Sequence, residues 1–332
     1  MFQYDGDILV QSIGLWLDAR RVKPFSFVSH AHGDHVCRHE RVLATPATIA
    51  LGKARRAFSR KPGTRTRRKP QSDELPLAFY EPTAIGDAKI TLYPAGHILG
   101  SAQILVERRG RRLLYSGDFC PETTVAAETI EIPRADTLIM ECTYGLPEHR
   151  FPARPAVVDN LCGFAADAVR HGRTPVFFCY ALGKGQEVMR LLGAAGIPVA
   201  AERETRAMAE VYERFGVDFP NCRLLDSPAA KGEAVVTPSL MRAGAFLKGR
   251  RIVTAAVTGW AAGDFGYRAQ RADARIPLSD HADFEGLLAY VRAVSPEKTY
   301  AVHGPEEFAY YLRKAGFRVG HVHEKAPLFS QA

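Results

Sequence analysis

Residues 25–35 read FSFVSHAHGDH. Phe25, Phe27 and Val28 form an apolar run of strand character, and the chain then turns polar at once. His30, His32, Asp34 and His35 place four potential metal ligands within six residues at a strand-to-loop junction. On a continuing strand these side chains would alternate between faces and splay apart. A turn containing Gly33 instead folds them around a point, with His30 and His32 facing one metal and Asp34 with His35 a second. Imidazole and carboxylate without thiolate suits Zn²⁺, with Mn²⁺ or Fe²⁺ next.

A metal pair needs further ligands, and the chain offers them in the same context. His97 lies in YPAGHILGS, Asp118 in LLYSGDF and His303 in TYAVHG. Each follows an apolar run beside a glycine, so each side chain is displayed at a strand tip. Asp118 has two oxygens and is the residue expected to serve both ions. His39, His149, His171, His321 and His323 lack that context and read as surface or packing residues.

Around these sites the first 140 residues read as short strands separated by turns, among them RVLATP, ITLYPA, SAQILVER and TLIMEC. From about Phe151 the texture becomes alternating helix and strand: apolar residues at helical spacing from Val157, then TPVFFCYAL, KGQEVMRLLGAAG and ERETRAMAEVYERFG. The last 55 residues return to strand–helix alternation. The class is α/β, and 332 residues are too many for one simple core.

The composition is that of an ordinary globular chain, 46% hydrophobic and 24% charged. No apolar run reaches the roughly 20 residues that span a bilayer, and the N-terminus lacks a signal peptide's regions. Six cysteines without a C-x-x-C pair exclude a disulfide framework and a thiolate zinc finger, and a reducing cytoplasm fits them. The net charge of +8 is local. Lys53 to Lys69 carries nine Lys and Arg and no acid, which leaves the rest of the chain at −1. Arg65, Arg67, Arg68 and Lys69 there read as a phosphate-binding arm, or as a solvated loop without a partner.

These motifs, taken in order, resemble the metallo-β-lactamase fold: Asp18 in WLDA, the HxHxDH run from His30, His97 and Asp118. Beyond Asp118 they resemble the β-CASP nucleases, through Glu141 in MECTYG, His281 in LSDHAD, His303 in VHG and the helix start YALGKGQE. ECTYGLP, PLSDHADF and AGHILGSAQ read most like the short bacterial ligase-associated DNA exonucleases. The resemblance implies an αββα sandwich with an inserted α/β domain: residues 1–150 and 269–332 in the sandwich, 151–268 in the β-CASP insert. It implies two Zn²⁺ or Mn²⁺ ions held by His30, His32, His97 and Asp118 and by Asp34, His35, Asp118 and His303. An activated hydroxide would attack the phosphodiester, with His281 as general acid, Glu141 orienting it and Asp18 fixing a ligand histidine.

For substrate contacts the expectations are Ser101, Thr143, and Gly183 with Lys184 as a phosphate site at a helix N-terminus, the last weighed against a purely structural helix start. The function implied is a DNA exonuclease of repair, with a DNA ligase and a helicase as functional partners and no membrane. His303 belongs to the RNA-processing branch rather than to the Artemis type, so an RNA-processing nuclease is the alternative. A small-molecule metallo-hydrolase ranks behind both.

Overall fold

The computed structural model describes residues 2–4, 6–58, 72–263 and 271–320. Within them, the first sheet contains β1 (Gln3–Tyr4), β2 (Ile8–Val10), β3 (Leu15–Leu17), β4 (Phe25–Phe27), β5 (Arg41–Ala44) and, after helix α1 (Pro46–Phe58), β6 (Asp73–Pro76). The second sheet takes β7 (Thr83–Ile85), β8 (Ala88–Pro94), β9 (Ala102–Arg108), β10 (Arg111–Tyr115) and β11 (Thr137–Glu141). The chain then builds a separate third sheet. Its segments are α2 (Arg154–Arg170), β12 (Thr174–Phe178), α3 (Lys184–Ala194), β13 (Val199–Ala201), α4 (Arg203–Arg214), β14 (Cys222–Leu224), β15 (Ala234–Thr237), α5 (Leu240–Ala243), β16 (Ile252–Val257) and β17 (Ala274–Ile276). Afterwards it returns through α6 (Phe284–Val294), β18 (Lys298–Val302) and α7 (Phe308–Lys314), and β18 joins the second sheet beside β11.

Side-chain alternation explains the layers. In the second sheet Ile104, Val106, Leu113 and Tyr115 face Leu15, Leu17, Phe27 and Leu43 of the first, which makes a sheet-on-sheet core. Their strand neighbours Leu105 and Leu114 point the other way, onto Leu287 and Val291 of α6 and Leu312 of α7. The third sheet is wholly parallel, ordered β14-β13-β15-β12-β16-β17. As parallel sheets require, both faces are covered: Phe177, Val199 and Val236 pack with α2, α3 and α4, while Val176, Ala200 and Val235 pack with Ala243 and Leu247. Helix α1 lends Ala47 and Leu51 to the same cluster as Met208 and Tyr212 of α4. The architecture is the mixed α/β sandwich expected, with a second α/β body placed between β11 and β18.

Strand direction brings the motifs together. β8 and β10 are both antiparallel to β9, and β10, β11 and β18 are mutually parallel, so all four run the same way. Their C-terminal ends deliver His97, Asp118, Glu141 and His303 to one edge. Parallel β3 and β4 of the facing sheet deliver Asp18 and His30. Among the described residues no helix is long and apolar enough to cross a membrane.

Candidate metal centre

Asp18 organises the first part of the site. It lies just past β3 with φ 42°, and His303 just past β18 has φ 54°; both are left-handed conformations that a non-glycine residue keeps only when its surroundings fix it. The Asp18 carboxylate is buried and accepts from Ser29 N (2.7 Å), Ser29 Oγ (2.6 Å), Tyr115 Oη (2.9 Å) and His35 Nδ1 (2.9 Å). Burial opposes its charge, but His35 and these donors win and hold its pKa below the usual carboxylate range.

That network settles which imidazole nitrogens are bare. The hydroxyl hydrogen of Ser29 goes to Asp18, so at 2.9 Å from His30 Nδ1 the Ser29 oxygen accepts. His30 Nε2 is then a lone pair, buried and without a hydrogen-bond partner among the described residues. A carbonyl only accepts, so His32 Nε2 donates to Leu182 O (3.2 Å) and His97 Nδ1 donates to Asp280 O (2.7 Å). The inner nitrogens of those two rings, His32 Nδ1 and His97 Nε2, face each other at 3.0 Å.

Burial and His97 push His32 down to about 3, and burial and His281 lower His97, so both rings are neutral. Two lone pairs at that distance repel unless a cation sits with them. The three bare nitrogens of His30, His32 and His97 lie within 4.8 Å of one another. This donor set fits a zinc ion.

A second set adjoins the first through Asp118. Its Oδ2 is 3.5 Å from both His30 Nε2 and His35 Nε2 and 4.0 Å from both His97 Nε2 and His281 Nε2. His30, His35 and Asp118 form another group within 4.8 Å. Asp34, largely exposed, places a carboxylate oxygen 3.7 Å from His35 Nε2. The His303 ring stands 5.5 Å from that of His35, and its buried Nδ1 has no hydrogen-bond partner among the described residues. Burial opposes the charge on Asp118, yet His35 and His30 keep it well below the carboxylate range. The opposite balance acts on His35: burial disfavours its charge, and Asp118 and Asp18 raise its pKa well above the ordinary value.

His281 and Glu141 pair at the rim. Nδ1 of His281 donates to Glu141 Oε1 at 2.8 Å, while Glu141 also accepts from the backbone of Phe119 and Thr143. Burial works against the imidazolium, but Glu141 prevails and raises the pKa to about 10. Beyond this rim a cavity of about 1000 Å³ opens between His32 and the third-sheet body, with Arg55, Tyr180, Arg242, Trp260 and Arg271 on its walls.

Four expected substrate contacts have other partners. Ser101 is buried, and its hydroxyl accepts from His97 N and Ile98 N, bracing the His97 loop. The Thr143 hydroxyl is turned onto the carbonyl of His303 (3.4 Å). Gly183 N donates to Gln186 Oε1 (2.7 Å), so it has no free hydrogen for an anion. Lys184 is 1% exposed, with Nζ 3.1 Å from Glu187 and 3.6 Å from Asp280, contacts that suit the structural helix start weighed against a phosphate site. Arg65, Arg67, Arg68 and Lys69 lie outside the described residues.

Several supporting groups were not singled out beforehand. Tyr115 and Ser29 adjoin motif residues but carry no signal of their own. Arg55 was counted in the basic run, yet its guanidinium donates to Ala31 O within the histidine loop. The carbonyls of Leu182 and Asp280 leave no trace in a sequence.

Comparison with known proteins adds a family context. Residues 271–323 match the model described as RMMBL, a Zn-dependent metallo-hydrolase RNA specificity domain. A protein of Opitutus terrae named "Probable DNA ligase" is 37% identical over 319 residues, covering 95% of this chain and 30% of that protein. The "RNase J-like protein" of Methanocaldococcus jannaschii is 35% identical over 120 residues, 35% of this chain and 28% of that one. "RNase aCSPSF2" of Saccharolobus solfataricus is 29% identical over 216 residues, 59% of this chain and 43% of that one. The chain thus spans less than half the length of each of these relatives.

Proposed function

The chain belongs to the metallo-β-lactamase/β-CASP family, and we propose that it is a metal-dependent nuclease whose preferred substrate is DNA. The observation that carries this reading is the convergence of three bare imidazole nitrogens beside Asp118, with a Glu141-held His281 next to them. In the proposed arrangement His30, His32 and His97 hold one ion, Asp34, His35 and His303 a second, and Asp118 faces both. Bound divalent ions would lower the pKa of water and neutralise charge on phosphoryl oxygens.

The protein's own groups supply the rest. Glu141 fixes His281 by its Nδ1, which leaves Nε2 toward Asp118 to give a proton to the leaving oxygen. The walls of the adjoining cavity combine aromatic surface (Trp260, Tyr180) with guanidinium groups (Arg55, Arg242, Arg271), a pairing suited to stacked bases and phosphates. The proposal includes the division into a sandwich, 1–150 and 269–332, and an insert at 151–268.

DNA is favoured by a relative named for DNA ligase that covers 95% of this chain. The proposal extends, on the resemblance of the motifs, to exonuclease action in repair with a ligase and a helicase as functional partners. RNA is the second reading, supported by the matched model's description and by relatives named as RNases. The test is a panel of 5′- and 3′-labelled single-stranded DNA, duplex DNA and RNA with Zn²⁺ or Mn²⁺. Stepwise shortening of DNA from one end is expected; cleavage of RNA alone overturns the DNA reading, and cleavage of nothing overturns the nuclease.

A further inference from the structure

The outer nitrogens of His32 and His97 are held by backbone carbonyls and not by Asp18. One rests on Leu182 O, in the turn that starts α3 of the third-sheet body, and the other on Asp280 O, in the segment leaving β17. Both carbonyls are themselves held. Gln186, 0% exposed, accepts from Gly183 N (2.7 Å) and donates to Ala181 O and Thr205 O (2.9 Å each), so it grips both neighbours of Leu182 and ties them to α4. Gly183 has φ +84°, and a Cβ there would meet Ile98 Cγ2 at 2.4 Å, so the turn is seated against the His97 loop. Next along the helix, Lys184 reaches Asp280 Oδ2 at 3.6 Å and Glu187 at 3.1 Å, and Glu187 in turn pairs with Arg154 of α2.

We infer that Gln186 is a positioning residue for metal binding: by gripping the 181–183 turn it presents Leu182 O to His32 and keeps His32 Nδ1 turned toward His30 and His97. The third-sheet body thereby bears on the metal position at His32 alone, whereas Asp18 bears on His35 directly and on His30 through Ser29. A hydrogen bond to the outer nitrogen fixes both the tautomer and the aim of a ligand imidazole, and its loss costs about 10–100-fold in metal affinity. The inference rests on the proposed assignment of His30, His32 and His97 to one ion, yet it needs no nuclease activity.

The test is competition for Zn²⁺ between a chromophoric chelator and the full-length protein, wild type against Gln186→Leu. One of two zinc equivalents is expected to weaken about 10–100-fold, with the other unchanged. Asp18→Asn, which touches His35 directly and His30 through Ser29, should instead weaken both equivalents. Equal weakening of both by Gln186→Leu, or of neither, overturns the inference. If Gln186→Leu does not fold, Gln186→Glu serves, because it keeps an acceptor for Gly183 N and loses both donated bonds. Imidazole ¹⁵N spectra of the metal-free wild type give a reading without any variant: His32 carrying its proton on Nε2 supports the inference, and on Nδ1 refutes it. Absence of cleavage in the substrate panel, with these results intact, would strike the nuclease reading alone.

Discussion

Two pairs of histidines meet at this centre and are held in opposite ways. His30 and His35 lean on one buried carboxylate, Asp18, through Ser29 and directly, all within the two-sheet core. His32 and His97 lean on two backbone carbonyls supplied by chain that enters α3 and leaves β17. A carboxylate gathers charge and hydrogen bonds at one point, so the first pair is fixed by electrostatics local to the sandwich. A carbonyl is only as well placed as its backbone, so His32 inherits its aim from how the third-sheet body is seated and His97 from the segment that leaves it. The ligand chemistry is the same in the two pairs; what differs is which part of the molecule can disturb it.

The largest expected effect removes what the pairs share. Asp118→Ala should abolish metal retention in both positions and cleavage with it, read as metal content after gel filtration; a variant that keeps two ions breaks the assignment of Asp118 as the common residue. Next is His281→Ala, which spares both pairs. It should lose about 10²–10⁴-fold in rate with metal content intact, and loss of metal instead would make His281 a ligand.

The comparison sharpens further at Glu141. If the protonated His281 is the acid, activity holds below its pKa and falls as pH rises through it. Burial opposes that charge and Glu141 raises the pKa to about 10, so Glu141→Gln should move the alkaline decline to lower pH. An unshifted profile would remove His281 from that limb. The smallest effect touches neither pair. Neutralising Arg65, Arg67, Arg68 and Lys69 should leave metal content unchanged and reduce the slope of log Kd against log salt by at most about 3.6 on duplex DNA. An unchanged slope returns the segment to a solvated loop.

The two pairs also differ in how far the sequence disclosed them. His30 to His35 was legible because strand, glycine turn and four ligands are contiguous, and His97, Asp118 and His303 because each ends an apolar strand beside a glycine. Strand direction then does the assembly, and the α/β texture was enough to expect it. The supports of His32 and His97 were not legible. They come from residues 150 and 183 positions away, through backbone atoms that every residue owns. Lys184 shows the converse. A lysine at a glycine-rich helix start reads as an anion site, and only the packing of Asp280 and Glu187 around it shows that its charge is already matched. Ser101 and Thr143 illustrate the same point: a hydroxyl near a site is as able to brace a loop as to touch a substrate.

Strand β18 lies against β11, and Cys142 Sγ donates to Val302 O across 160 positions of chain. On the ribosome this spacing becomes a delay. A nascent chain that has emerged as far as α6 already owns His30, His32, His97 and Asp118, together with the Leu182 and Asp280 carbonyls that steady two of them. It has yet to make His303, and the outer edge of β11 is still without its partner. Of the two proposed metal positions, one therefore has all its residues before β18 is made and the other only when the chain comes home.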